Sequence, residues 1–370
     1  MDKWIINIDR DEVNQAAITA ITPQDLPDGA VEMRIDEFAL TANNITYAIF
    51  GKPSGLFGND TGYWDFFSDR GTPGHLPIWG FATVTQSNND GVNVGDVYYG
   101  YYPMASHVVL HPVKVNKGGF IDGLERRQAL PPLYNQYRRL ESLGDYQAEH
   151  HDYWPIFRPL YLTGWLIADQ FIDDDDYGVE QIITASASSK TAIGFALATK
   201  ARANRPKMIG LTSAGNAEWL RSLDAYDEVV SYDDIQNIDN GKKTAMVDMA
   251  GNMSLVSSAH HHFADNMIYS LVVGKSHWDS EQDAQFSPAA KLPGAPRVGF
   301  FAPARSMKRI SDWGGEAFQQ KLEADWTAFM KIAPSLCKIE KRQGAQAALD
   351  GYLGLLGDNV DPKIGVLITA

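Results

Sequence analysis

A run of hydroxyl-bearing residues with one cation stands at Ser186-Ala187-Ser188-Ser189-Lys190-Thr191-Ala192. Ser188, Ser189 and Thr191 can donate to phosphate oxygens, and Lys190 adds positive charge where a helix would begin. Small side chains also let a backbone approach a pyrophosphate, the task that glycines perform in GxGxxG loops. Both glycines of a Walker A loop are missing, which excludes that motif. The competing reading is a Ser-rich N-cap that serves only its own helix. A second patch follows at Gly210-Leu211-Thr212-Ser213-Ala214-Gly215-Asn216. A carboxylate at the end of such a strand would bind a ribose 2′-hydroxyl, and none occurs here before Glu218. Neutral hydroxyls at a helix start are more hospitable to a 2′-phosphate, which favours NADP over NAD. Arg202 and Arg205 precede this strand and are expected at its far end.

Asn43-Asn44-Ile45-Thr46-Tyr47 brings amide, hydroxyl and phenol groups together in one short segment. Tyr63-Trp64-Asp65-Phe66-Phe67 places aromatics on an apparent loop. There they either wall a flat apolar substrate or plug a domain interface. Tyr134-Asn135-Gln136-Tyr137 has the same ambiguity between a cleft and internal packing. No metal site is expected. His260-His261-His262 and His150-His151 are consecutive, so their side chains diverge. His107 and His111 lack a third ligand nearby, and Asp173 to Asp176 read as a solvated turn.

These groups must be positioned by a chain of 370 residues with a formal net charge of -14. That length suggests two domains. The acidic balance argues against nucleic acid and anionic membranes as partners. One cysteine, Cys337, permits no internal disulfide and no Cys-based zinc cluster. No apolar run is long enough to span a bilayer, and charges interrupt the first residues, so a cytoplasmic protein is expected.

The first 120 residues read as short strands at 4–8, 30–40, 78–87, 96–104 and 106–115, separated by Gly, Asn and Asp turns. A barrel or strongly bent sheet follows from this pattern. Residues 124–143 and 158–171 read as helices. From 181 the texture alternates: strands at 181–186, 207–212, 227–232, 244–251 and 266–274, with helices at 189–204, 216–223 and 253–263. Such alternation implies a parallel sheet wound by right-handed crossovers, the outline of a dinucleotide-binding domain. RVGFFAP (297–303) reads as one more strand, 315–333 and 343–356 as helices, and KIGVLIT (363–369) as a strand free to return to the N-terminal sheets.

The order of these segments resembles the medium-chain dehydrogenase/reductase superfamily, in its zinc-free quinone oxidoreductase and enoyl reductase branch. ALTANNITYAIFG (39–51), PIWGFATVTQSNNDGVNVGDVYYGY (77–101), LTGWLIADQF (162–171), IITASASSKTAIGFALATKA (182–201), MIGLTSAGNAEWLRSLDAYDEVVSYDD (208–234) and TAMVDMAGN (244–252) carry that resemblance. NNITYAIFG, GYWDFF, YNQY and SASSKTA further resemble a family known only as a domain of unknown function, related to that superfamily. The resemblance implies an α/β fold: a GroES-like, barrel-type catalytic domain over 1–125 joined by 341–370, and a Rossmann-type doubly wound nucleotide-binding domain over 126–340.

It also implies roles. Thr163 matches a Thr on the nicotinamide side of the cofactor. Ser188, Ser189, Lys190 and Thr191 occupy the pyrophosphate loop. Thr212, Ser213 and Asn216 occupy the 2′-phosphate neighbourhood, and Tyr232 matches a Tyr beside the adenosine phosphate. The cofactor implied is NADP(H), and no metal is involved. In such a reductase a hydride goes to a carbon conjugated with a carbonyl, and charge grows on the carbonyl oxygen. Asn44 is expected to orient substrate or nicotinamide, and Tyr47 to act as hydrogen-bond donor or acid, with Thr46 a further candidate. Turn capping and core filling are the competing roles for these three. The expected function is zinc-independent, NADP(H)-dependent reduction of a quinone or carbonyl-conjugated double bond in a small-molecule substrate. Departure from glycine in the loop leaves an alternative, a non-catalytic protein that keeps the fold for interaction or nucleotide sensing. Relatives of that branch commonly form homodimers by pairing sheet edges, and 298–303 is the segment that would serve.

Overall fold

The structure is a computed structural model describing residues 3–53, 57, 60–128, 130–274, 292–357 and 360–370. The chain divides into two compact units, Met1–Pro159 with Ala333–Ala370, and Leu160–Ile332. The expected limits at 125/126 and 340/341 therefore shift to 159/160 and 332/333. Of the helix expected over 124–143, the short helix Glu125–Gln128 is observed. Pro131 and Pro132 cannot continue it; a 3-10 turn over Pro132–Tyr134 follows, and the chain is extended from Gln136.

Along the first unit run β1 (Trp4–Ile8), β2 (Ala16–Ala20), β3 (Val31–Leu40), α1 (Asn43–Ile49), β4 (Pro77–Ser87), β5 (Val97–Pro103), β6 (His107–Leu110), β7 (Pro112–Asn116), β8 (Gly119–Asp122), α2 (Glu125–Gln128) and β9 (Gln136–Arg139). The single strand expected at 106–115 is interrupted at His111, just before Pro112. α3 (Trp154–Asp173) leads into the second unit. There follow β10 (Gln181–Ala185), α4 (Lys190–Lys200), β11 (Lys207–Thr212), α5 (Ala214–Ser222), β12 (Glu228–Ser231), β13 (Thr244–Asp248), α6 (Met253–Phe263), β14 (Met267–Val272), β15 (Arg297–Gly299), α7 (Ala302–Trp313) and α8 (Gly315–Met330). α9 (Ala333–Leu336), β16 (Lys338–Gln343), α10 (Gly344–Leu355) and β17 (Ile364–Thr369) return to the first unit.

The first unit is built on a nine-stranded sheet ordered β16-β17-β3-β4-β5-β9-β8-β7, with β6 also pairing β3. The returning strand pairs antiparallel with β3, Leu367 opposite Ala39. The period-2 alternation of β4 and β5 puts Trp79 opposite Tyr101 and Phe81 opposite Tyr99, so four aromatic rings share one face. Gly80 between them meets the β3 backbone, where an added Cβ would lie 2.3 Å from the Glu37 carbonyl oxygen.

The second unit is a six-stranded parallel sheet ordered β12-β11-β10-β13-β14-β15. The first strand in sequence lies inside the sheet, and the order reverses between β10 and β13. This is the doubly wound arrangement, in which ligands bind beyond the carboxyl ends of the strands at the reversal. Ile183, Ile209, Leu211, Met246, Val256 and Phe263 belong to its buried core, as strands covered on both faces require. The strand expected over 297–303 stops at Gly299, because Pro303 opens α7, a helix the sequence reading missed. The α/β class with a GroES-like unit and a Rossmann-type unit is the observed fold. Among the described residues no helix is long and apolar enough to cross a membrane.

Candidate functional site

The turn between β10 and α4 sits where a doubly wound sheet receives a phosphate. Ser186 has a φ of 54°, a left-handed conformation that a glycine would more readily adopt. Ala187 is buried, and its N–H donates to the Leu211 carbonyl at 3.0 Å. Ser189 is the N-cap of α4, its Oγ accepting from Ala192 N at 3.3 Å. That hydroxyl is thus spent on its own helix, as the capping reading anticipated. Ser188, Lys190 and Thr191 are half-buried around the first turn of α4. Thr163 is half-buried on α3, next to Gly164. A Cβ at Gly164 would lie 2.5 Å from Phe195 N and 2.7 Å from the Thr191 carbonyl, so α3 and α4 touch backbone to backbone. Thr163 and the loop helix are brought together by this contact.

Two aromatic residues hold the loop from the neighbouring strand ends. Tyr226 donates its phenol to the Ala187 carbonyl at 3.0 Å, and its ring fills the space over Gly210. The sequence reading missed Tyr226; its only signal is an aromatic just ahead of the third strand of the series. Tyr232, at the end of β12, is half-buried and hydrogen-bonded to Ser186. Burial pushes its phenol up, against the pull of that bond.

At the end of β11, Thr212 is fully buried and its Oγ1 has no hydrogen-bond partner among the described residues. Ser213 is the exposed N-cap of α5, yet its side chain makes no capping bond. Asn216 is half-buried in the first turn of α5. The strand end therefore offers the exposed hydroxyl of Ser213, not consumed by the backbone, at a helix N-terminus without a carboxylate, while the Thr212 hydroxyl is sealed beneath it. The donor set fits a phosphate. At the end of β13, Asp248 is buried, 2.6 Å from Arg297, and accepts from the N–H groups of Ala250 and Gly251 at 3.2 and 3.0 Å. It fixes the turn next to the reversal and was not singled out from the sequence.

The candidates in the first unit are more enclosed. Asn44 is buried on α1. Its Nδ2 donates to the Pro77 carbonyl at 3.1 Å and its Oδ1 accepts from Thr41 N at 2.8 Å. Tyr47 is buried as well, its hydroxyl oxygen accepting from Trp79 Nε1 at 3.3 Å. Its ring lies 4.6 Å from Tyr63 and 5.5 Å from Tyr101. Burial pushes the Tyr47 phenol up. Thr46 is half-buried beside it. The structure thus brings Asn44, Thr46 and Tyr47 together on one short helix, with both polar ends of Asn44 engaged by backbone. Of the aromatics at 63–67 and 134–137, Tyr63, Trp64, Phe66, Tyr134 and Tyr137 are buried, and the Tyr63 and Tyr134 hydroxyls are 3.2 Å apart.

Histidines and acids are engaged separately. His260 contacts the Pro293 carbonyl and Ser270, while His262 contacts the Ile238 carbonyl. Asp173 pairs with Arg305, Lys308 and Arg309, and Asp176 with Arg202. Among the described residues no three His, Cys, Asp or Glu side chains are grouped to hold a metal.

Residues 38–361 match the family described as "Protein of unknown function (DUF2855)". The chain belongs to the DUF2855 family. No curated relative matches this DUF2855 protein by sequence. Its fold is shared with solved reductases. CurA from Vibrio vulnificus, in complex with NADPH, is 14% identical with a TM-score of 0.59, covering 99% of both chains. The mitochondrial 2-enoyl thioester reductase Etr1p/Etr2p heterodimer from Candida tropicalis is 11% identical with a TM-score of 0.56, covering 100% of this chain and 99% of that one. The Etr1p complex with NADP and crotonyl-CoA is 10% identical with a TM-score of 0.56, over the same shares. At such identities the likeness is one of fold.

Proposed function

We propose that this DUF2855 protein is a zinc-independent, NADP(H)-dependent reductase of carbonyl-conjugated double bonds, with enoyl thioesters as the first substrate class and quinones as the second. One observation carries the reading: the unconsumed, exposed hydroxyl of Ser213 at a helix N-terminus, on a sheet of dinucleotide-binding order, with no carboxylate at the strand end. The complexes of CurA with NADPH and of Etr1p with NADP and crotonyl-CoA support it. NADPH, when bound, supplies the hydride. Lys190 and the first turn of α4 would receive the pyrophosphate, Thr212, Ser213 and Asn216 the 2′-phosphate, Tyr232 would border the adenosine phosphate, and Thr163 the nicotinamide side. Tyr47 keeps its own proton because burial opposes ionisation, and it is the donor available to an enolate oxygen. The edge strand β15, with Val298 exposed, would pair two copies as a homodimer.

Titration of the purified protein with NADPH and, separately, NADH, followed by nicotinamide fluorescence, tests this. Tight NADPH binding with weak NADH binding is expected, followed by turnover of crotonyl thioesters. Failure of the folded protein to bind either nucleotide overturns the proposal. The burial of Tyr47 and the engagement of Asn44 favour a second reading, a nucleotide-sensing protein without turnover. It predicts NADPH binding with no reduction of any enone, enoyl thioester or quinone.

A further inference from the structure

A polar cluster in the first unit lies apart from the groups considered above. Tyr146 OH and His151 Nδ1 are 2.7 Å apart. His151 Nε2 lies 3.1 Å from Glu37 Oε1, and Lys341 Nζ lies 3.3 Å from Glu37 Oε2. Lys341 also pairs with Asp152 at 2.6 Å. The imidazole is fixed by stacking on Phe81, with ring centroids 4.3 Å apart and planes 18° from parallel. Glu37 itself is only 5% exposed.

The charges around the imidazole can be counted element by element. β3 contributes Glu37 and β16 contributes Lys341. The turn that carries His151 contributes Asp152, with Glu149 and His150 flanking in sequence. β4 presents only the uncharged Phe81 ring, and the preceding loop presents the Tyr146 phenol. Asp145, beside Tyr146, is already paired with Arg158 of α3 at 2.9 Å. Two carboxylates, Glu37 and Asp152, thus share one ammonium. An imidazolium completes the balance; a neutral imidazole leaves a buried carboxylate with half of a lysine. Incompletely compensated buried charge is destabilising, and a charge-assisted contact is stronger than its neutral counterpart. Burial pulls Glu37 up, yet His151 and Lys341 together hold it below the ordinary glutamate value, so the carboxylate is the charged partner in this contact.

We propose that His151 is a proton-operated latch, tightening the entry to α3 against β3 when it takes up a second proton. The latch acts locally, because the turn it closes passes directly into α3: Trp154 N donates to the His151 carbonyl. Thr163 is carried later on the same helix. In the neutral state Tyr146 donates to Nδ1, and Nε2 lies within ion-pair distance of Glu37 Oε1 without a well-aligned hydrogen bond. In the protonated state both ring nitrogens donate, and Tyr146 becomes an acceptor. No other group need move.

Amide hydrogen exchange over residues 150–158 of the full chain, corrected for intrinsic rates, reads the latch. Protection is expected to rise about threefold or more on acidification from about pH 8 to about pH 5.5. The His151→Gln variant, which cannot become charged, should show no such rise. Tyr146→Phe removes only a half-buried hydroxyl and should lower the response, so it carries the test if His151→Gln does not fold. Flat protection in the unaltered protein overturns the latch. So does an unchanged response in either variant.

Discussion

Tyr226 donates its phenol to the carbonyl of Ala187 across 3.0 Å, and its ring occupies the space over Gly210. One side chain therefore supports the βα turn from beneath and the second strand from its face. Tyr226→Phe keeps the ring but leaves the Ala187 carbonyl without that donor. A buried acceptor left unsatisfied costs about 1–3 kcal/mol. Urea unfolding should show a destabilisation of that order, and NADPH affinity should fall with it. Unchanged stability and affinity would remove Tyr226 from the support of the loop.

Thr212→Val separates binding from folding. The Thr212 hydroxyl is buried without a partner, so replacing it with a methyl should leave stability unchanged or raise it by up to about 1 kcal/mol. Because that hydroxyl is inaccessible, NADPH affinity should stay unchanged, and a weakened affinity would show that the strand end opens to admit the 2′-phosphate. Ser213→Asp, at the same helix start, should turn the preference toward NADH. Fluorescence titration of both variants with both nucleotides checks the pair of outcomes.

How much of this was legible in sequence differs between the units. The strands of the second unit are short apolar runs such as Ile182-Ile183 and Ala245-Met246-Val247, each followed by a helix-forming stretch, so pattern alone places them. The helix expected over 124–143 follows local Arg and Glu preference, and past Glu125–Gln128 it is overruled by Pro131-Pro132 and by the burial of Tyr137 against Phe120. β2 was missed because Ala16-Ala17-Ile18-Thr19-Ala20 is mostly exposed and carries no alternation. At the site, the small-residue loop and the hydroxyls of β11 were readable from residue type. The consumption of Ser189 by its own helix and of Asn44 by Pro77 was not, because each depends on a single backbone atom's position.

Arg127 and Asp122 form a buried pair at 3.2 Å, both side chains essentially inaccessible. Arg127 also donates to Tyr137 OH at 2.7 Å and to the Tyr134 carbonyl at 3.2 Å. Replacing only one member leaves a buried charge unpaired, so Asp122→Asn should cost about 3–5 kcal/mol in urea unfolding. Replacing both members with apolar residues of similar volume should cost much less. Equal losses for the single and the double variant would contradict this account.

Asp173 supplies an acid-sensitive element in the second unit. Lys308 and Arg305 hold its carboxyl down to about 2 from the ordinary 3.8. A depressed carboxylate stabilises the fold above its unfolded value and loses that contribution as pH falls through its folded value. The loss should therefore fall between about pH 4 and pH 2. Asp173→Asn should flatten that part of the stability profile and leave neutral-pH cooperativity intact. Thermal unfolding recorded from pH 5 to pH 2 checks it.

Tyr47→Phe addresses the chemistry. The hydroxyl accepts from Trp79 Nε1 at 3.3 Å and also meets Asn43 and Tyr101, so its removal should cost about 1–3 kcal/mol of stability. Under the reductase reading, turnover should fall by about 10²–10³, the usual cost of losing one donor to a developing oxyanion, with NADPH affinity unchanged. A variant that turns over normally would take Tyr47 out of the reaction.

The placing of β17 beside β3 has a consequence for biosynthesis. Leu40 and Val366 are neighbours in the sheet, yet more than 300 residues of synthesis separate them. The second unit's strands, by contrast, are contributed by one uninterrupted stretch, so it can mature on the ribosome while β3 still waits for its partner. During that interval the apolar edge of β3 is a template for unwanted pairing.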